Sequence, residues 1–166
     1  MHWTSELKNM RAAFKAVIAM TLGTSAVFSP ALAEDIPQYV KGPISGFIFD
    51  CQENKQTPPK EQAYVTRGDF DGDGKPDYII DSGKGCASNR ALYCNAEGCT
   101  IDVYVSSLEG LAGSFKAQSF KIGKSDKADT LILSKRGADC GPAKDAVCSE
   151  TRVFNGEELA PVPPAK

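Results

Sequence analysis

Beyond residue 60 the chain is a succession of short runs in which apolar and polar positions alternate. "TIDVYVSS" sets Ile101, Val103 and Val105 on one side and Asp102 and Tyr104 on the other. A period of two marks a strand with one buried face. "DTLILSK" likewise divides Leu131 and Leu133 from Thr130, Ile132 and Ser134. "AYVTR", "YIID" and "SFKAQSFKI" read as further strands, and "TRVF" and "EELAP" flank Asn155-Gly156. That dipeptide tolerates the positive φ of a type I′ turn, so it predicts a hairpin. Upstream, "GFIFDC" predicts a first strand with Phe47 and Phe49 on one face. Pro37, Gly42, Pro43 and Gly46 make Glu34 to Gly46 an extended lead-in, and Pro58-Pro59 makes Lys55 to Gln62 a loop. After the leader described next, no window shows ten residues of helical period. The pattern predicts a mostly β fold: one twisted antiparallel sheet, curled into a small sandwich, a partial barrel or a blade-like unit.

The first residues follow a different rule. Lys8, Arg11 and Lys15 precede a mostly apolar run, Ala16 to Phe28, and then "SPALA" puts small residues at the −3 and −1 positions of a cut after Ala33. This is the layout of a cleavable signal peptide. Thr21, Gly23, Thr24 and Ser25 dilute the apolar run, which is shorter than the roughly 20 residues of a bilayer span. The expected organisation is a leader over 1–33, a single β-rich domain over 34–160 and a flexible tail over 161–166. No membrane span remains after the leader is removed, and a periplasmic or extracellular destination in a Gram-negative bacterium follows. The cut also removes His2 and Trp3, the sole histidine and tryptophan. The chain carries a net charge of −2, and loss of the three leader bases with Glu6 makes the remainder more acidic. Nucleic acid, which needs clustered Lys and Arg, is not an expected partner.

Export changes the meaning of the cysteines. There are 6, at positions 51, 86, 94, 99, 140 and 148. An even number in an exported chain predicts disulfides. A zinc knuckle around Cys94 and Cys99 has the wrong spacing and no histidine to complete it. Six cysteines leave fifteen connectivities open. Cys94–Cys99 and Cys140–Cys148 are favoured as local staples beside Gly98 and Gly141, which leaves Cys51–Cys86 as a long closure.

"RGDFDGDGKPDYIID" concentrates Asp69, Asp71, Asp73 and Asp77 within nine residues. Carboxylates at alternate positions of a tight loop converge on a hard cation, with a backbone carbonyl, here that of Lys75, as a further ligand. Gly72 and Gly74 permit the sharp turn. Six to eight oxygens at 2.3–2.6 Å suit calcium better than the stricter octahedron of magnesium. The predicted metal site is therefore Asp69, Asp71, Asp73, Lys75 and Asp77, with Ca2+ as cofactor. An EF-hand is excluded, because Ile80 stands where its bidentate Glu belongs and the flanks are β-like. "RGD" here serves the loop and is not an adhesion motif. These fifteen residues resemble the calcium loop of FG-GAP and VCBS-type repeats. The resemblance implies a strand–loop–strand setting and the same ligands. Those repeats recur over several blades, and this chain has one copy, so a propeller is not implied. "GDFDGDGKPDYIID" with "YCNAEGCTIDVYVS" also resembles small exported proteins of alphaproteobacteria, which implies a compartment and no activity.

Without a histidine after the leader, a Ser-His-Asp site or an imidazole-bound catalytic zinc cannot be built. Paired cysteines leave no thiolate nucleophile. "GKG" at Gly83 to Gly85 lacks the frame of a phosphate loop. The reading is therefore a non-enzymatic, calcium-binding, disulfide-stapled β domain with a binding or structural role towards an unidentified protein or envelope partner. The alternatives are a small periplasmic inhibitor of an enzyme such as a lysozyme, and a hydrolase built on carboxylates such as Asp50 and Asp102.

Overall fold

The computed structural model describes residues 35–137, 140–141 and 146–162. The leader at 1–33 and the last residues of the tail lie outside the described residues. Among the described residues the chain runs through three α-helices, α1 (Gln38–Glu53), α2 (Glu61–Tyr64) and α3 (Ala87–Tyr93), and nine strands. The strands are β1 (Val65–Gly68), β2 (Asp77–Asp81), β3 (Cys94–Asn95), β4 (Gly98–Val105), β5 (Gly110–Ala117), β6 (Ser119–Lys124), β7 (Asp129–Arg136), β8 (Val147–Phe154) and β9 (Leu159–Pro161).

They form two antiparallel sheets. The first has the order β1-β2-β4-β3 with β5 beside β4, and the second has the order β6-β7-β8-β9. The expected mostly β, antiparallel fold is present, and of its expected forms it takes that of a small sandwich of two sheets. Ile79, Ile101 and Val103 of the first share one buried cluster with Leu131, Leu133 and Leu159 of the second. The chain crosses between sheets at Gln118, whose N–H donates to the Ser134 carbonyl at 2.8 Å. "SFKAQSFKI" is therefore two strands joined by one residue. The predicted hairpin near the end exists, but Phe154 faces Leu159 across a four-residue loop. Gly156 is left-handed (φ 103°), while Asn155 uses its side-chain oxygen to accept from the N–H groups of Glu157 and Glu158. That Asx turn replaces the expected two-residue I′ turn. β9 takes in Pro161, the first residue of the expected tail.

The region before residue 54 corrects the sequence reading. Neither the lead-in nor the "GFIFDC" strand is present, and α1 occupies both. Val40, Ile44, Phe47 and Cys51 are its buried residues, and their spacing of four, three and four is a helical stripe. Gly42, Pro43 and Gly46 disguised it. A Cβ on Gly42 or Gly46 would meet nothing within 4 Å, so both glycines lie on the open side, and Pro43 is accommodated within the helix. Tertiary packing of the stripe outweighs the poor propensity of these residues. The stripe lies on the outer face of the first sheet, where it shares a second buried cluster with Tyr64, Tyr78, Ile80 and Tyr104. Tyr104, which alternation places on a polar face, is therefore 8% exposed under the helix.

All three expected disulfides are present: Cys51–Cys86, Cys94–Cys99 and Cys140–Cys148. The first ties α1 to the residue preceding α3, and the second bridges paired positions of β3 and β4.

Candidate metal centre

The acidic loop leaves β1 at Gly68 and enters β2 at Asp77. Its shape is set largely by its own carboxylates accepting backbone hydrogen bonds. Asp69 accepts from Gly72 N at 2.8 Å and Gly74 N at 3.2 Å, Asp71 from Asp73 N at 3.1 Å, and Asp73 from Lys75 N at 2.7 Å. Gly72 (φ 75°) and Gly74 (φ 81°) adopt the left-handed backbone that this winding requires. A Cβ on Gly72 would also come within 2.5 Å of the Lys127 carbonyl, so the loop packs closely on the β6–β7 turn. Phe70, in the middle of the acids, is buried in the core between the sheets and anchors the loop.

Asp69, Asp71 and Asp77 each offer a carboxylate oxygen within 4.8 Å of the others. Asp73 and Lys75 are not in that trio. Asp73 receives the Ser106 hydroxyl at 3.3 Å and the Lys75 ammonium at 3.5 Å. Ile80, where an EF-hand would carry its glutamate, is buried within β2.

Two other elements clamp the loop, and the sequence reading did not identify either. At the end of β4, Ser106 N donates to Asp77 at 2.7 Å, while the Ser106 hydroxyl and Ser107 N reach Asp71 at 3.5 and 3.3 Å. The signal was the small polar pair closing "TIDVYVSS". From the second sheet, Asp129 N donates to the Asp69 carbonyl at 2.6 Å, and the Asp129 carboxylate accepts from Asp69 N at 3.0 Å. Asp129 lies sixty positions from Asp69, and nothing local marks the pairing.

The carboxylates differ electrostatically. Burial pushes Asp77 above the usual carboxylate range, and the charge of Asp71 adds to this against hydrogen bonds from Ser106 and Phe70. Burial also works against ionised Asp71, but hydrogen bonds from Ser107 and Asp73 outweigh it and hold Asp71 below its ordinary value. Asp129 is held low in the same way, with burial overcome by Lys124 and the Asp69 amide. Two carboxylate charges about 5 Å apart repel by roughly 3 kcal/mol at the effective dielectric of a protein surface. A cation among three of them turns that repulsion into attraction. The donor set within the trio is all oxygen, which suits a hard cation such as calcium or magnesium.

The two carboxylates weighed for hydrolysis serve other contacts. Asp50 accepts from the Tyr93 hydroxyl at 3.0 Å, and Asp102 lies in β4 opposite Ile80 and Ser114. Among the described residues no helix is long and apolar enough to cross a membrane. Comparisons with protein-family models, with curated proteins and with solved structures find no match to this chain.

Proposed function

We propose that the protein is an exported domain in which calcium fastens the acidic loop to both sheets, and that its role is structural or binding and not catalytic. The observation that carries this reading is the convergence of Asp69, Asp71 and Asp77 within 4.8 Å on a loop clamped from β4 and β7. The Lys75 carbonyl and a rotated Asp73 carboxylate would complete the oxygen shell, and water the remainder. Ser106 and Asp129 would orient the ligands from behind, as outer partners of metal ligands do. Three disulfides are consistent with an oxidising compartment, periplasmic or extracellular.

Thermal melting in chelator against millimolar calcium tests the reading. Binding to the folded state alone stabilises by about 2.7 kcal/mol when calcium exceeds Kd a hundredfold. For a domain of this size that corresponds to a rise of roughly 10 °C. Magnesium should raise the melting temperature less, and Asp71→Ala should abolish most of the calcium shift. Equal melting temperatures in both buffers would reduce the loop to a solvated acidic turn.

A further inference from the structure

Asn155 and Gly156 lie in the turn between β8 and β9, and both are exposed. The Asn155 side-chain oxygen accepts from Glu157 N at 3.0 Å and from Glu158 N at 2.9 Å. Both bonds draw electron density away from the side-chain amide carbon, Cγ. The nucleophile next to that carbon is the backbone nitrogen of Gly156, whose attack closes an imide ring. Gly156 has no Cβ to shield the nitrogen, its φ is 103°, and the space a Cβ would take is open. Among the described residues no acceptor holds the Gly156 N–H.

The other described asparagines lack this combination. The amide after Asn54 donates to the Gln52 carbonyl at 2.9 Å, and the amide after Asn89 donates to the Cys86 carbonyl at 3.1 Å, so both nitrogens are engaged. Asn89 is also fully buried. Asn95 is the near match, since its side-chain oxygen accepts from Glu97 N at 2.9 Å. It has that one donor, however, and Ala96 follows it with a Cβ beside the nitrogen.

We propose that Asn155-Gly156 is a site of spontaneous covalent modification in the folded protein, at which the turn itself promotes conversion of Asn155 to aspartate and isoaspartate. The Gly156 nitrogen bonds to Cγ as its proton passes to water. Negative charge collects on Oδ1, where the Glu157 and Glu158 amides already stand within the roughly 2.7–3.1 Å of an oxyanion hole. The Cγ–Nδ2 bond then breaks, and ammonia leaves with a proton taken back from water, which gives a succinimide. A water molecule opens the ring. Attack at Cγ yields aspartate, and attack at the Asn155 main-chain carbonyl carbon yields isoaspartate. Aspartate keeps an oxygen that accepts the same two bonds. Isoaspartate carries the main chain through Cγ, and the added carbon takes Phe154 out of register with Leu159. Leu159 is buried between the sheets and its carbonyl accepts from Arg152 at 2.8 Å, so this product loosens β9.

The test incubates the folded protein at mildly alkaline pH and follows it by tryptic peptide mass spectrometry. Peptide 153–166 carries Asn155, and peptide 91–116 carries Asn95 as an internal control. Peptide 153–166 should gain the mass of an amide-to-acid change and split into aspartyl and isoaspartyl forms, at least about tenfold faster than 91–116 reacts. The same chain, reduced and unfolded in urea, should convert Asn155 no faster, because the paired donors exist only in the fold. Glu157→Pro removes one donor and should slow conversion at least about tenfold. Slower conversion of Asn155 in the folded protein than in the unfolded chain, a rate equal to that of Asn95, or an unchanged rate in folded Glu157→Pro would overturn the proposal. Should Glu157→Pro fail to fold, the comparison of folded with unfolded wild type decides by itself.

Discussion

Ile79, Ile101 and Val103 leave the first sheet on one side and meet Leu131, Leu133 and Leu159 of the second; Tyr78, Ile80 and Tyr104 leave it on the other and meet α1. The inner interface is wholly apolar, aliphatic residues with phenylalanines, and its free energy comes from area removed from water without regard to direction. The outer interface mixes aliphatic residues with tyrosines, and polar fastenings lie among them. Asn89, fully buried, donates to the Phe47 carbonyl at 3.1 Å and accepts from Cys86 N at 3.2 Å and the Tyr64 hydroxyl at 3.4 Å. Tyr93 reaches Asp50, and Cys51–Cys86 makes a covalent link beside them. A sheet holds a sheet by apolar area over many strands. One helix offers a single stripe, so directional bonds and a disulfide fix its position.

The sharpest way to break that contrast is to cut the covalent link. Cys51–Cys86 closes a ring with a sequence separation of 35 that contains the acidic loop. Loop-closure entropy assigns it about 4 kcal/mol. The double variant Cys51→Ala, Cys86→Ala should lose about that much in urea unfolding. Hydrogen exchange should show the amides of 38–53 opening before those of β4 and β7. Uniform loss of protection across both layers would show that the outer layer is not a separate unit.

A matched pair of truncations compares the layers without touching a disulfide. Leu133 and Ile44 are both fully buried, one in each cluster. Leu133→Ala leaves a cavity between sheets that cannot close, at a cost of about 3 kcal/mol. Ile44→Ala lies beneath a helix that can settle towards the sheet, so it should cost nearer 2 kcal/mol, the low end for such changes. Unfolding midpoints for the two variants decide between them. A larger loss for Ile44→Ala would make the outer layer the more rigid of the two.

The same contrast explains what could be read from the chain. The inner face was legible because a period of two reports a strand with one dry side, as at Ile101, Val103 and Val105. The acidic loop was legible because its turn-forming bonds are local, from Asp69, Asp71 and Asp73 to amides two to five residues on. The cover over the outer face was not. Yet Asp77 to Ile80 are buried without a break, and an unbroken buried run means that both faces of β2 are covered. "YIID" therefore already required a further layer. Val40, Ile44, Phe47 and Cys51 had the spacing to supply it, behind two glycines and a proline. Ser106 and Asp129 were out of reach for a different reason: their roles depend on register and sheet packing, which no local pattern encodes.

The smallest expected effect isolates the chemistry of the outer layer. Burial, helped by the charge of Asp102, pushes the Tyr104 phenol from 10.0 up to about 12. Burial likewise raises Tyr64 and Tyr93, whereas the inner cluster holds no titratable residue. A raised folded-state pKa means that the unfolded chain loses its proton first. The stabilisation is complete below about pH 10 and is lost as pH rises towards 12. At about pH 11 the loss attributable to Tyr104 is near 1.4 kcal/mol, one tenfold step in the linkage. Lysines and the other tyrosines titrate in both proteins, so the comparison is with Tyr104→Phe, which keeps the ring and removes the ionisable group. Urea unfolding of both at about pH 8 and about pH 11, with short incubations to spare the disulfides, measures the difference. The variant should lose less stability between the two conditions by about that amount. Tyrosinate absorbance should show one fewer late-titrating phenol. Equal losses in the two proteins would mean that the Tyr104 hydroxyl reaches water, and that the outer layer is looser than its burial implies.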